Sequence, residues 1–176
     1  MSEERPTQKR TRNQKELKLQ AQMVLKFSQE YPERRGDLFA TFQNTNSAIQ
    51  GSNMLSAGLV AGVSDLIYID SYGHLIGIEV KFPGEYHNLI HILDQCRFLI
   101  QNAHNGWFCN SLESFCSIVE LDGISGGIHP EMVQAWCVNK MKEKIGEFNY
   151  KDTDDLIFIA QQYENRTKKK MPTIRF

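Results

Sequence analysis

The run Leu66 to Phe82 constrains this chain more than any other segment. Leu66-Ile67-Tyr68-Ile69 is a short apolar strand, Asp70-Ser71-Tyr72-Gly73-His74 is a turn, and Leu75 to Phe82 is a second strand closed by Pro83-Gly84. Side chains on a strand alternate between faces, so within Ile78-Glu79-Val80-Lys81 the two charges share one face and the two aliphatic residues the other. A lone hairpin is marginal in water, so this one must be extended into a sheet whose aliphatic face is covered by helices.

The rest of the chain supplies those helices. Apolar spacing predicts a helix from about Asn13 to Glu30, with Leu17, Ala21, Val24, Leu25 and Ser28 on one face. Pro32, Arg34-Arg35 and Gly36 end it. A strand is expected over Leu38 to Asn44, then a long loop over Thr45 to Val63. A helix from about Glu85 to Ala103 carries the stripe Leu89, Ile92, Leu93, Cys96, Leu99, Ile100 and Ala103. Trp107-Phe108-Cys109 reads as a strand, and Ser111-Leu112-Glu113-Ser114 as the start of a helix reaching about Leu121. Gly123 to Gly127 is a connector. Pro130 then opens a helix with Met132, Val133, Trp136, Cys137, Met141 and Ile145 on one side and Gly146 as its C-cap. Thr153-Asp154-Asp155 caps a last helix that leads into a basic tail. The pattern is α/β, divided into a basic arm (1–12), a core (13–122) and a helical extension (123–176). That extension could cover the core, build a homo-oligomer or dock on a protein partner.

Length and composition fit a single globular unit of 176 residues that needs no disulfides. Cys96, Cys109, Cys116 and Cys137 form no C-x-x-C pair, which argues against a zinc knuckle or redox motif and for buried thiols. The polar N-terminus is no signal peptide, and no apolar run approaches the roughly 18 residues of a membrane span. No membrane association and a cytoplasmic location are therefore expected. Charge is unevenly placed. Residues 1–20 carry six Lys or Arg against three acids, residues 163–176 five against one, and the middle nine against seventeen. Basic ends can contact phosphates without regard to sequence, or simply keep the termini solvated.

Chemistry concentrates at Gly62-Val63-Ser64-Asp65-Leu66 and Ile78-Glu79-Val80-Lys81. Asp65 opens the strand that pairs with the one carrying Glu79 and Lys81, which brings two carboxylates and a lysine together. Two carboxylates and water can hold Mg²⁺, a hard ion that prefers oxygen. A lysine beside them can stabilise charge on a phosphate undergoing attack. By itself Glu-x-Lys fits a solvated charge pair better than a site. His87 and His91, four apart, have metal-binding spacing but no third ligand, and lie on the expected solvated face. Gly123 to Gly127 lacks the Lys-Ser/Thr of a phosphate loop.

Taken in order, these pieces resemble the VRR-NUC branch of the PD-(D/E)XK, or restriction-endonuclease-like, nuclease superfamily. The resemblance covers residues 13–121. It runs through Glu16 and Gln20 on the first helix, Phe42-Gln43-Asn44-Thr45, and the glycine-rich approach Gly58 to Leu66. Ile78-Glu79-Val80-Lys81, Gln95-Cys96-Arg97-Phe98-Leu99 and Gly106-Trp107-Phe108-Cys109 follow. Two departures stand out: Ser64 where the family has proline, and Gln95 lying fourteen residues beyond Lys81.

The resemblance implies an α-β-β-β-α-β core with a central mixed sheet flanked by helices. It implies an Mg²⁺- or Mn²⁺-dependent endonuclease acting on DNA, branched and single-stranded forms included, in replication, recombination or repair in phages and mobile elements. Asp65, Glu79 and the Val80 backbone carbonyl would hold the metal, with Glu16 on the metal or its waters. Lys81 would be the catalytic lysine, and Gln95 would orient Lys81 or the attacking water. Gln101 and Glu30 are the alternatives to Gln95 and Glu16. The alternative function is a non-catalytic nucleic-acid-binding or virion component that keeps the nuclease fold.

Overall fold

A computed structural model describes residues 7–41, 63–101 and 105–176, with side chains from Gln14 onward. Helix α1 (Thr7–Glu30) begins six residues before the expected Asn13 and ends at a 3-10 turn, Pro32–Arg34. Arg34 locks that turn by donating to Asp37 (2.8 Å) and to the Ile69 carbonyl (3.0 Å). The buried face of α1 is Leu19, Met23 and Phe27. It is not the expected stripe, since Leu17 and Leu25 are each 58% exposed. Both stripes have helical spacing on roughly opposite sides of the cylinder, and the one carrying the bulky Met23 and Phe27 removes more apolar area from water.

Strands β1 (Leu38–Ala40), β2 (Leu66–Ile69) and β3 (Leu75–Val80) pair antiparallel, with Ala40 opposite Leu66 and Leu66 opposite Ile78. Of the longer strand expected to Asn44, Phe42 to Asn44 lie outside the described residues, as does the expected loop except for Val63. The hairpin turn is built by Asp70, whose Oδ1 accepts from the Tyr72 and His74 amides (2.8 Å each), and by Gly73 at φ 85°. That left-handed backbone favours glycine.

The expected helix start at Glu85 is wrong. Tyr86–Asn88 is a strand, β4, and helix α2 spans Leu89–Gln101, with Asn88 capping it by accepting from the His91 amide (3.1 Å). Ala103 lies outside the described residues. Strand β5 (Asn105–Cys109) returns parallel to β3, placing Glu79 opposite Phe108 and Val80 opposite Cys109. The central sheet thus has the mixed order β1-β2-β3-β5. Helix α3 (Leu112–Glu120) follows, its N-cap Ser111 accepting from the Ser114 amide (3.1 Å).

After the connector come α4 (Pro130–Ile145), α5 (Thr153–Thr167) and strand β6 (Thr173–Arg175), which pairs antiparallel with β4. The α5 cap is Asp152, one residue before the expected group, accepting from the Asp155 amide (3.0 Å). Beyond it the basic segment is not a simple tail, because Met171 and Ile174 are buried. At Gly126 (φ 125°) a β-carbon would stand 2.5 Å from the Ile118 amide nitrogen, so only glycine fits.

Two apolar layers sandwich the sheet. On one face α1 and α3 bury Met23, Phe27, Phe115 and Ile118 against Leu66, Tyr68, Ile76, Ile78 and Val80. On the other, α2, α4, α5 and β6 gather Leu93, Cys96, Val133, Met141, Leu156 and Ile174 around Phe108. Residues 123–176 therefore share a core with α2 and β5. Of the expected α4 stripe, Met132 is 55% exposed, and Val138 takes an inward position instead. All four cysteines are free thiols, with Cys96, Cys109 and Cys137 buried. Among the described residues no helix is long and apolar enough to cross a membrane.

Candidate active site

The site begins where β2 runs out. Its last pair sets Leu66 against Ile78, so Val80 extends past β2 while remaining paired with Cys109 on the other side. Asp65 takes the vacant position. Its Oδ2 accepts from the Val80 amide (2.8 Å), and its own carbonyl accepts from the Thr41 amide (3.0 Å). The Thr41 hydroxyl donates to the Ser64 carbonyl, fixing the approach to Asp65 from β1. Ser64 itself is buried, with no hydrogen-bond partner for its hydroxyl oxygen. The Lys81 amide donates to the Cys109 carbonyl (2.8 Å). Across the trans peptide the Val80 carbonyl must point the opposite way, toward the side on which Asp65 stands.

Glu79 and Lys81 lie on the same face, as strand alternation requires, with Ile78 and Val80 in the core on the other. They are not solvated: Glu79 is 1% exposed and Lys81 3%. Charged side chains are almost never buried so fully unless paired. Lys81 Nζ donates to Glu79 Oε1 at 2.6 Å. The Gln95 amide of α2, itself buried, donates to the same oxygen. Glu79 Oε2 and Gln95 Oε1 are buried with no hydrogen-bond partner.

Charge follows from this packing. Burial first, and then repulsion from Asp65, push the Glu79 carboxyl well above the ordinary carboxylate range, against the pull of Lys81. Burial works against the Lys81 ammonium, but Glu79, then Asp65 and Glu16, outweigh it and hold its pKa above the usual value. The cluster therefore crowds the carboxyl groups of Asp65, Glu79 and Glu16 around a single lysine, and without a metal the crowding is relieved by a proton on Glu79.

The structure brings every residue of the expected site to this place. Glu16, on α1, acts electrostatically on Lys81, and its Oε1 lies 3.6 Å from His87 Nε2. Gln95 reaches Glu79 rather than Lys81. The alternatives do not join: Glu30 pairs with Lys26, and Gln101 is exposed. Sequence reasoning missed His87. It was placed on a solvated helix face but is 4% exposed on β4, edge-on to Phe176 with ring centroids 5.3 Å apart. Its burial depends on β6, far away in sequence, and no local pattern announces that. His91 is exposed, with Nε2 3.2 Å from Gln95 Nε2.

Among the described residues no three His, Cys, Asp or Glu side chains stand close enough together to hold a metal ion alone. Asp65, Glu79 and the Val80 carbonyl nevertheless offer an all-oxygen donor set in which a bound cation would take the place of the Glu79 proton. That set fits Mg²⁺ or Mn²⁺, ions that keep several waters when bound. Comparison of the chain with protein-family models, with curated proteins and with solved structures finds no match.

Proposed function

We propose that this chain is an Mg²⁺- or Mn²⁺-dependent nuclease that hydrolyses DNA phosphodiester bonds. The observation that carries the reading is the buried Glu79 carboxyl, which is crowded by Asp65 and bonded to a buried lysine. Solvated charge pairs do not bury this way, and a buried carboxyl crowded by a second carboxylate either keeps a proton or takes a cation in its place. The order α1-β1-β2-β3-β4-α2-β5, in which the short β4 lies outside the central sheet, and the mixed sheet support a restriction-endonuclease-like core, and with the motif order they support membership of the VRR-NUC branch.

Asp65, Glu79 and the Val80 carbonyl would hold the ion, with Glu16 accepting hydrogen bonds from its waters. When bound, the ion polarises the phosphodiester and makes an attacking water more acidic. Lys81 presents a permanent positive charge to the phosphate as its negative charge grows. Gln95 fixes Glu79 from the helix side, and its amide oxygen can accept from the attacking water. One such site cuts one strand, so double-strand cutting would need two copies of the chain. The family resemblance suggests cytoplasmic action in replication, recombination or repair, of the phage or mobile-element type.

Incubation with Mg²⁺ or Mn²⁺ on single-stranded, duplex, flap and four-way DNA tests the reading. The unmutated chain should cut at least one substrate and stop when EDTA is added. Lys81→Ala should keep its circular dichroism and lose cutting. Failure of the unmutated chain to cut any substrate would defeat the proposal and favour a non-catalytic binding protein.

A further inference from the structure

The ribbon of β4 and β6 has two unlike faces. His87 and Ile174 point inward and are buried. Tyr86, Asn88, Thr173 and Arg175 alternate with them and are exposed. Tyr86 and Arg175 are register partners, and the Arg175 guanidinium lies over the Tyr86 ring with Cζ 5.5 Å from its centroid. Even so, Tyr86 remains 53% exposed. Among the described residues Arg175 forms no ion pair, nor do the exposed Lys168 and Lys169 that precede the ribbon. The acids beside it are engaged: Glu85 by Lys15 (2.8 Å) and Glu164 by Lys170 (2.7 Å). Directly behind this face, His87 lies 3.6 Å from Glu16 of the candidate active site.

We propose that the outward face of this ribbon is a binding site for single-stranded DNA, which it holds beside the active site. An unpaired base stacks on the Tyr86–Arg175 pair, and the flanking phosphates lie against Arg175, Lys168 and Lys169. The inference rests on the nuclease reading for its choice of DNA. It goes further in naming the form of DNA, because a half-exposed ring capped by a guanidinium offers a planar stacking surface suited to an unpaired base. A duplex keeps its base faces covered and meets only the charges. The three-residue strands span about 10 Å, enough for a short stretch of strand but not for a groove-reading element.

The test is fluorescence anisotropy of a labelled oligothymidylate with the full chain in EDTA, where turnover cannot interfere, alongside a duplex of mixed sequence. Tyr86→Ala should weaken oligothymidylate binding about tenfold and leave duplex binding unchanged. Tyr86→Phe should restore it, since the ring is kept. Arg175→Ala should weaken binding and lower the slope of log affinity against log salt by about one. Circular dichroism of each variant checks folding, which these outward positions should not disturb.

Unchanged oligothymidylate binding in both alanine variants overturns the inference, as does equal weakening on duplex or no binding by the unmutated chain. The two readings fail separately. Cleavage by a chain whose binding ignores Tyr86 and Arg175 sinks the ribbon and leaves the nuclease. Ribbon-dependent binding without cleavage in Mg²⁺ or Mn²⁺ sinks the nuclease and leaves the ribbon.

Discussion

Asp65, Glu79 and Lys81 belong to a single hairpin, whereas Glu16, His87 and Gln95 arrive from a helix, a ribbon strand and a second helix. The first trio is placed by strand register: where β2 ends, Asp65 bonds to Val80, and alternation puts Glu79 and Lys81 on one face. The second trio is placed by packing, through the apolar face of α1, the stripe of α2 and the β4–β6 pairing. The hairpin supplies the charged groups. The packed half buries them and adds the contacts of Gln95 and Glu16, and so sets how those groups behave.

Four experiments can break or sharpen that contrast. Removing a hairpin member should do most. Lys81→Ala should lower cleavage by about 10²–10³-fold or more, measured as initial rates on the best substrate with folding intact. A small decrease would mean that the lysine is structural.

Next is the ribbon. Ile174→Ala removes a buried side chain that seats β6, and should cost about 2–5 kcal/mol in urea denaturation. A loss well below that would mean that the C-terminal strand is not integral to the fold. Gln95→Ala attacks the packed half without unseating it. It should cost about 10–100-fold in turnover or metal affinity, and Gln95→Glu should not rescue it, because a second carboxylate would face Glu79.

The smallest effect is on pH dependence. The native metal-free chain holds a proton on Glu79 at pH values where the unfolded chain has lost it. Its stability should therefore fall as pH rises from the ordinary glutamate range toward the raised native value, and level off above it. In Glu79→Gln that contribution to the slope should vanish. Urea midpoints taken across pH for both proteins measure it, and identical slopes would mean that the carboxyl is not raised.

Much of the fold was legible because local pattern and burial agree. The hairpin, the strand at Trp107 to Cys109, the Ser111 cap and the Pro130 start each carry their own chemistry in a few consecutive residues. The errors share one cause. Tyr86–Asn88 looks like helix preceding a helix and becomes strand only because Thr173–Arg175 pairs with it. The face of α1 was misread because both sides of the helix are apolar, and only the sheet chooses between them. His87 inherits the first error, since its burial follows from being on the inner face of β4.

What the sequence determined by itself is the pairing of chemistry with register: Asp65 before a strand, Glu79 and Lys81 alternating with Ile78 and Val80, and a turn that Asp70 and Gly73 can close. These are properties of neighbouring residues, fixed by backbone geometry over a few ångströms. Tertiary structure alone decided that the pair would be buried, that Gln95 would share an oxygen of Glu79 with Lys81, and that Glu16 would lie beside His87. Those outcomes depend on which distant surfaces exclude water from which side chains. That choice belongs to the whole packed chain, because burial has no local signature.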